Sequence, residues 1–235
     1  MRYSAHEAAA RFIETYFPHC EGAVWAGSAA HGEATEDSDV DLVIFDEAQE
    51  TPFRRTYRDF GWVIEAFVLN RESYRYFFDV AIDSAVPSLL RMCAFGIPLC
   101  GQSEIRSILE EARQDFTAGP PAWGTYELTR ARYELSELAA DLSGARDRQE
   151  GWFVAAELAQ RLAVFKLRVN RCWIGEGKWL IRELTEYDPA AGRGLVAALE
   201  AYYLQHNCVE LLTLTDAWLA PYGGRLDEGY FEGNE

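Results

Sequence analysis

The sequence has little of what marks a membrane protein or a secreted one. No apolar run approaches the roughly 18 residues that are needed to cross a bilayer, and the segment from Met1 to Glu7 lacks the apolar stretch of a secretory signal. The five cysteines are scattered, without the close spacing typical of disulfide or zinc-binding proteins. We therefore expect a cytoplasmic protein with reduced thiols and no membrane partner.

Positive charge is also scarce. The chain has 38 acidic residues against 22 basic ones, which gives a formal net charge of −16, and the only lysines are Lys166 and Lys178. Proteins that bind DNA or RNA usually carry a basic surface, because contacts to phosphates supply much of their affinity. Nucleic acid is therefore disfavoured as the main partner.

Several common catalytic motifs are missing as well. The sequence contains no Walker-type phosphate loop, no serine in a nucleophile elbow and no histidine and cysteine cluster with zinc spacing. It does contain ample material for a core, since 49% of its 235 residues are hydrophobic and 14% are aromatic. That is enough for one large domain or two modest ones.

The N-terminal half mixes helix and strand patterns. Ser4 followed by Glu7 forms a capping box, which predicts the start of a helix that ends near Phe17. Further along, apolar runs and their flanking residues predict the following elements: strands at 23–26, 40–45 and 61–69, helical segments over 71–95 with an interruption at Pro87, and a short edge strand at 97–101.

The C-terminal half has a different character. Proline and glycine cluster at 117–124, which we interpret as a linker. Beyond it, apolar residues recur at three- and four-residue spacing, which predicts helices at 126–142, 152–174, 188–204 and 207–219. The predicted fold class is α+β, with a small mixed sheet and helices over 1–118 and an all-α helical bundle over 119–235.

Two aspartates at the start of a predicted strand are the strongest sign of chemistry. Asp39 and Asp41 are two residues apart, so their carboxylates point to the same face with Cα atoms about 7 Å apart. The strand that follows is apolar, and packing gives it no reason to begin with two like charges, which repel each other. A divalent cation resolves this conflict, and hard oxygen ligands suit Mg²⁺.

A third acid fits the same site. Glu65 lies in the middle of the predicted strand 61–69, where a glutamate is costly to bury. A neighbouring strand could bring it beside Asp39 and Asp41, where it would complete the metal site, accept a proton from an attacking hydroxyl, or do both. The alternative is that Glu65 lies on a solvated face of the sheet.

Small residues nearby suit a phosphate. Gly27 ends a predicted strand and Ser28 follows it at a helix start, an arrangement that presents free backbone N–H groups to an anion. Ser38, directly before Asp39, can donate a further hydrogen bond. This places the phosphates of a nucleotide beside the metal that the aspartates would hold.

These residues together resemble a known signature. Glu65 stands where the polymerase-β-like nucleotidyltransferase superfamily has its third carboxylate, and the other matching residues are Gly27-Ser28, Gly32 and Ser38-Asp39-Val40-Asp41-Leu42. The order of an α/β half and a helical half further resembles the aminoglycoside adenylyltransferases, especially the streptomycin/spectinomycin type. The resemblance implies a nucleotidyltransferase domain at 1–118 and a helical domain at 119–235 that contributes to nucleotide and acceptor binding.

The resemblance also implies a mechanism. Two Mg²⁺ ions would bridge the carboxylates and the triphosphate of ATP or another NTP, and a substrate hydroxyl would attack the α-phosphorus in line. Pyrophosphate would leave and a nucleoside monophosphate, AMP if ATP is the donor, would be transferred. In the streptomycin/spectinomycin type the base is a glutamate that corresponds to Glu65. In the kanamycin type the base comes from the helical domain, where the candidates are Glu127, Glu134 and Glu150.

Two residues of the helical half complete the implied nucleotide site. Lys178 resembles a lysine that contacts the triphosphate, and a compact ammonium suits such a contact. Tyr203 resembles a nucleotide-contacting tyrosine of the same family, although an aromatic residue in a helix is more often part of a core. His31 lies in the expected phosphate loop, where a surface role is the simpler interpretation.

The leading hypothesis is a Mg²⁺-dependent nucleotidyltransferase that modifies a hydroxyl of a small molecule. An acidic cleft would attract a cationic acceptor such as an aminoglycoside antibiotic. One alternative is a toxin-like enzyme that modifies a protein or tRNA, and another is a non-catalytic nucleotide-binding module. The sequence does not distinguish a monomer from a homodimer.

Overall fold

The computed structural model describes residues 2–30, 32, 35 and 38–233 of the chain. The chain divides into two compact units, Met1–Gly119 and Pro120–Glu235, and the division falls inside the segment expected to be a linker. The first unit holds a mixed sheet with helices and the second is helical, which confirms the predicted fold class. Among the described residues, no helix combines the length and apolarity needed to cross a membrane.

A mixed sheet organises the first unit. In chain order its elements are α1 (Ala5–Tyr16), β1 (Gly22–Ala26), α2 (Gly27–Ala30), β2 (Val40–Phe45), β3 (Phe53–Asp59), β4 (Trp62–Leu69), α3 (Tyr74–Ser84), α4 (Ser88–Phe95), β5 (Ile97–Cys100) and α5 (Arg106–Ala118). The five strands form one sheet in the order β3-β4-β2-β1-β5. The β2–β4 pair is parallel, and the other neighbouring pairs are antiparallel.

Helix α1 begins as its sequence predicts and covers one face of the sheet. The Ser4 hydroxyl accepts a hydrogen bond from the Glu7 N–H at 3.3 Å and donates one to Glu7 Oε2 at 3.1 Å. The apolar stripe of α1 packs against side chains at alternate strand positions, which therefore share one face of the sheet. The fully buried residues of this layer include Phe12, Leu42, Ile44, Ile64 and Ala66.

The opposite face of the sheet is more open toward β4. Helix α4 contacts β1 and β2, and its C-cap Gly96 lies against Val24 of this face. On β4, however, Val63, Glu65 and Phe67 are half-buried, whereas the residues that alternate with them are buried against α1. The accessible part of this face therefore lies over β4 and its neighbour β3.

Strand β3 is absent from the sequence-based prediction. It lies at the edge of the sheet, so its outward residues are polar and the apolar pattern that marks a buried strand is weak. The turn that joins it to β4 is formed by Phe60 and Gly61, which both have positive φ angles of 53° and 84°. Positive φ at both central positions is the geometry of a type I′ hairpin turn.

The second unit is a bundle of helices. They are α6 (Thr125–Gly144), α7 (Arg148–Arg168), α8 (Lys178–Tyr187), α9 (Pro189–Gln205) and α10 (Val209–Leu219), and their shared core includes Leu135, Leu158, Leu162, Phe165 and Tyr202. Helix α7 ends earlier than the predicted 152–174, because Arg171 adopts a left-handed conformation with φ 57°. Helices α5 and α8 were not predicted as separate elements.

The cap of α9 gives a test of this bundle. Asp188 Oδ1 accepts hydrogen bonds from the N–H groups of Ala190 at 3.1 Å and Ala191 at 3.0 Å. We expect Asp188→Ala to lower the free energy of unfolding by about 1 kcal/mol, because these N–H groups lose their acceptor. Urea denaturation measures the change.

Asp188→Asn is the matched control, because asparagine is an equally good N-cap. It removes only the charge, which lies 3.9 Å from the Lys166 ammonium. We expect a much smaller loss than for alanine. Equal losses in the two variants would contradict the capping role.

Two of the five free cysteines face each other in the first unit. The sulfur atoms of Cys20, which precedes β1, and Cys100, at the end of β5, are 3.9 Å apart. The hydrogen bond from Cys20 stabilises a thiolate at Cys100 and lowers the pKa of that thiol to about 7, although burial acts in the opposite direction. The same contact raises the pKa of Cys20.

This coupling predicts a pH-dependent reactivity. Alkylation of Cys100 by iodoacetamide, followed by mass spectrometry, should accelerate as the pH rises through about 7 because the thiolate is the nucleophile. In Cys20→Ala the midpoint should move to higher pH, since the hydrogen-bond donor is gone. Cys208→Ala serves as the control and should leave the Cys100 profile in place. An unchanged midpoint in Cys20→Ala would contradict the coupling.

Candidate active site

Strand pairing brings two of the predicted carboxylates side by side. In the parallel β2–β4 register Asp41 is directly opposite Glu65, and in the antiparallel β1–β2 register Asp41 is opposite Ala26. Paired residues point to the same face of a sheet, so the Asp41 and Glu65 side chains lie together. Asp39 precedes β2 by one residue, and its position two residues before Asp41 puts it on the same side.

The three carboxylates form one cluster. Asp39, Asp41 and Glu65 each offer an oxygen atom, these atoms lie within 4.8 Å of one another, and all three residues are half-buried. The side chain of Glu65 is 20% exposed, so solvent still reaches part of this carboxylate. Three acidic oxygens at this separation form a donor set that suits a hard divalent cation such as Mg²⁺.

Gly27 makes room for this cluster. It follows β1 with a φ angle of +76°, and a Cβ atom added to it would lie 1.9 Å from Asp41 Oδ2. Any side chain here would therefore push the Asp41 carboxylate out of its position. The absence of a Cβ atom, and the backbone conformation that glycine tolerates, both serve the placement of Asp41.

The two serines lie between Gly27 and Asp39 in the chain. Ser28 is half-buried in the first turn of α2. Ser38 Oγ accepts a hydrogen bond from the Thr35 N–H at 2.8 Å and lies 3.2 Å from Thr35 Oγ1, so it also closes the loop that leads into β2. Its hydroxyl hydrogen can still be donated to a ligand. His31 lies outside the described residues.

Arg54 on β3 is a component of the site that the sequence did not reveal. Its Nη2 donates a hydrogen bond to Glu65 Oε2 at 2.5 Å, and its guanidinium carbon lies 4.8 Å from the centre of the Phe67 ring. The bond engages Oε2, which leaves Oε1 available to a metal ion. Residues that hold a metal ligand in this way orient it and tune its basicity. The Asp-Phe-Gly hairpin signal before β4 could have revealed β3 and hence Arg54.

One comparison with known proteins, a family model, covers this part of the chain. Residues 9–83 match a family model described as a nucleotidyltransferase domain. This segment of the chain is similar to a nucleotidyltransferase domain. The match runs from α1 into α3 and includes the three carboxylates, Gly27 and Arg54. The narrower resemblance to aminoglycoside adenylyltransferases stays a prediction.

Among solved structures, one similar chain is a nucleotidyltransferase-like protein from Exiguobacterium sibiricum. It is 11% identical to this chain, with a TM-score of 0.47, and the similarity covers 92% of this chain and 74% of that one. No curated protein matches the sequence.

The other predicted nucleotide contacts belong to the second unit, outside the nucleotidyltransferase-like segment. Lys178 is exposed at the start of α8. Tyr203 is half-buried, and its hydroxyl donates a hydrogen bond to the Trp152 carbonyl at 3.4 Å while its own carbonyl accepts one from Arg148 at 3.2 Å. The nucleotide-binding roles of Lys178 and Tyr203 stay predictions. The same holds for the nucleotidyltransferase role expected of 1–118 and the nucleotide- and acceptor-binding role expected of 119–235.

Two of the three alternative bases have local structural partners. Glu127 accepts a hydrogen bond from the Gly124 N–H at 2.9 Å and so caps α6. Glu134 pairs with Arg130 and Arg161. Glu150 is exposed in the first turn of α7. Glu65 differs from all three because it lies beside two other carboxylates.

Replacement of Gly27 tests the cluster of carboxylates directly. Gly27→Ala should weaken Mn²⁺ binding about tenfold or more, because the new Cβ atom displaces Asp41. Calorimetry or electron paramagnetic resonance with Mn²⁺ as the probe measures this affinity.

Gly224→Ala, in the second unit, is the matched control. Gly224 has a similar φ angle of +72°, but a Cβ atom added there would meet none of the described residues within 4 Å. Both variants carry a similar cost for alanine in a left-handed conformation, and only Gly27→Ala should lose metal affinity. Equal affinities in the two variants would argue against a metal site at Asp41.

Proposed function

We propose that this protein catalyses the Mg²⁺-dependent transfer of a nucleoside monophosphate to a hydroxyl group of a small molecule. The proposed donor is ATP, so the group transferred is AMP. The observation that carries this proposal is the cluster of Asp39, Asp41 and Glu65 within 4.8 Å. It lies in the segment that matches a nucleotidyltransferase domain. Reactions of this class need two things from a protein, which are accurate positioning and neutralisation of phosphate charge.

Each residue of the cluster has a role in this proposal. Asp39 and Asp41 would hold the metal, Glu65 beside them would serve as the base, and the N–H groups of Gly27 and Ser28, with the hydroxyl of Ser38, would bind phosphate oxygens. When bound, Mg²⁺ neutralises the triphosphate and aligns the α-phosphorus with the attacking oxygen. The acceptor oxygen forms a bond to the α-phosphorus. The bond between the α-phosphorus and the oxygen that bridges it to the β-phosphorus breaks, and pyrophosphate leaves.

Glu65 is the base in this proposal, and the proton of the acceptor hydroxyl moves to its Oε1. Arg54 is a positioning residue, because it holds Oε2 at 2.5 Å and so fixes the direction of Oε1. A base must lie within hydrogen-bond reach of the proton that it accepts. The position of Glu65 beside Asp39 and Asp41 supports this role, because the attacking hydroxyl would lie near the same cluster.

Lys178 and Tyr203 are proposed as further nucleotide contacts from the helical unit. The first acceptors to test are aminoglycosides, because of the resemblance in the sequence and the net charge of −16. Modification of a protein or tRNA by the same chemistry is the second candidate. It differs in the acceptor alone.

The decisive test uses ATP labelled at the α-phosphate. Purified protein with Mg²⁺ should release pyrophosphate and label a small hydroxyl acceptor, and Asp41→Asn should lower the rate more than about a hundredfold because the metal loses a charged ligand. Thin-layer chromatography of the labelled products measures the transfer.

The control is Asp83→Asn, the same change at an exposed aspartate of α3 in the same unit. It should retain full activity. Label that enters only protein or RNA would favour the second candidate. If calorimetry detects no binding of ATP with Mg²⁺, the proposal of an enzyme fails and a non-catalytic module is the better description.

A further inference from the structure

Strand β3 places arginines on the same face of the sheet as the three carboxylates. In the antiparallel β3–β4 register Thr56 is opposite Glu65, Arg54 is opposite Phe67 and Arg58 is opposite Val63. Arg54 and Arg58 are therefore the two diagonal neighbours of Glu65, each about 7–8 Å away along the sheet and within reach of a long side chain. Arg55, between them in sequence, points to the opposite face, where it lies over the Tyr57 ring.

The order of the strands indicates which substrate meets these arginines. Gly27 and Ser28 follow β1, the two aspartates lie at the start of β2, and Glu65 lies on β4, one strand closer to β3. A nucleotide bound to the first two groups lies over β1 and β2. In the proposed function the acceptor hydroxyl faces Glu65, and β3 is the next strand on the side away from the aspartates. An acceptor group on that side would therefore meet Arg54 and Arg58.

The two arginines differ in their availability. Arg54 is engaged by Glu65 and Phe67. Arg58 is exposed, and among the residues that the structure describes its side chain has neither an ion pair nor a hydrogen bond. A guanidinium group offers a planar fork of donors that matches a phosphate or carboxylate group.

Along this face of the sheet the charge changes sign from the carboxylates to strand β3. Asp39, Asp41 and Glu65 contribute three negative charges, and Arg54 and Arg58 on the next strand contribute two positive ones, although the chain as a whole carries −16. A cationic group that reached Arg58 would meet repulsion there, while a long polyanion would be repelled by the net negative charge of the chain.

We infer that the acceptor is a small hydroxyl compound with an anionic group, a phosphate or a carboxylate, which Arg58 binds while the hydroxyl faces Glu65. This inference rests on the proposed nucleotidyl transfer and names its substrate class. It replaces the cationic acceptor that the overall charge suggests. Arg58 is an acceptor-binding residue, and Arg54 keeps its role in positioning Glu65.

The experiment compares four acceptors with α-labelled ATP and Mg²⁺: glycerol 3-phosphate, glycerate, glycerol and kanamycin. We expect kcat/KM to be higher for the two anionic compounds than for glycerol or kanamycin. Arg58→Gln should lower kcat/KM for glycerol 3-phosphate about tenfold more than it does for glycerol, because a charge-assisted contact is lost. A larger effect on glycerol 3-phosphate than on glycerate would identify phosphate as the preferred anion.

Arg55→Gln is the matched control, since it removes the same charge from the same strand on the other face. It should leave the preference among the four acceptors unchanged. A second measurement, the binding of glycerol 3-phosphate without nucleotide by NMR titration, should show weaker binding for Arg58→Gln than for the wild type and for Arg55→Gln.

The outcomes separate this inference from the proposed function. Transfer to kanamycin or to an RNA 3′ hydroxyl in preference to the anionic compounds overturns the inference and leaves nucleotidyl transfer intact. Binding of glycerol 3-phosphate that does not depend on Arg58 overturns it as well. If no acceptor is labelled but anion binding still requires Arg58, the anion site is upheld and the proposed function fails.

Discussion

The parallel register of β2 and β4 is the constraint on which the site depends. It puts Asp41 directly opposite Glu65, and Asp39 joins them from the residue before β2. Three carboxylates on one face would repel one another without a compensating positive charge. Arg54 supplies part of that charge from the chain, and in the proposed function a divalent cation from solution supplies the rest. The candidate chemistry and the stability of this part of the sheet then depend on the same electrostatic requirement.

The features around this register serve the same requirement. Gly27 leaves the space that Asp41 occupies, and the Phe60–Gly61 turn brings β3 back along β4 so that Arg54 reaches Glu65. Because β3 is an edge strand, its outward positions tolerate charged residues. The face runs from the Gly27–Ser28 turn to the carboxylates and then to the arginines, and the proposed places of the nucleotide and the acceptor follow this order.

Sequence patterns predicted the parts of the fold that have strong local signals. The Ser4 cap, the buried strands at 23–26 and 40–45 and the Asp188 cap were all confirmed, because each depends on a few neighbouring residues. Strand β3 was missed because an exposed edge strand lacks the apolar alternation of a buried one. Helix α7 begins and ends earlier than its predicted range of 152–174. Its end was predicted too late because apolar spacing continues past Arg171, where the backbone turns left-handed.

The aspartate pair was evident in the sequence, because two acids at alternate positions before a buried strand must share a face. The fold class followed in the same way from the spacing of apolar residues. The tertiary structure decided three further placements. Glu65 lies beside that pair, Arg54 contacts Glu65, and Arg58 lies on the same face of the sheet. These contacts depend on which strands are neighbours and in what register, and strand pairing is a long-range property that local residue patterns do not encode.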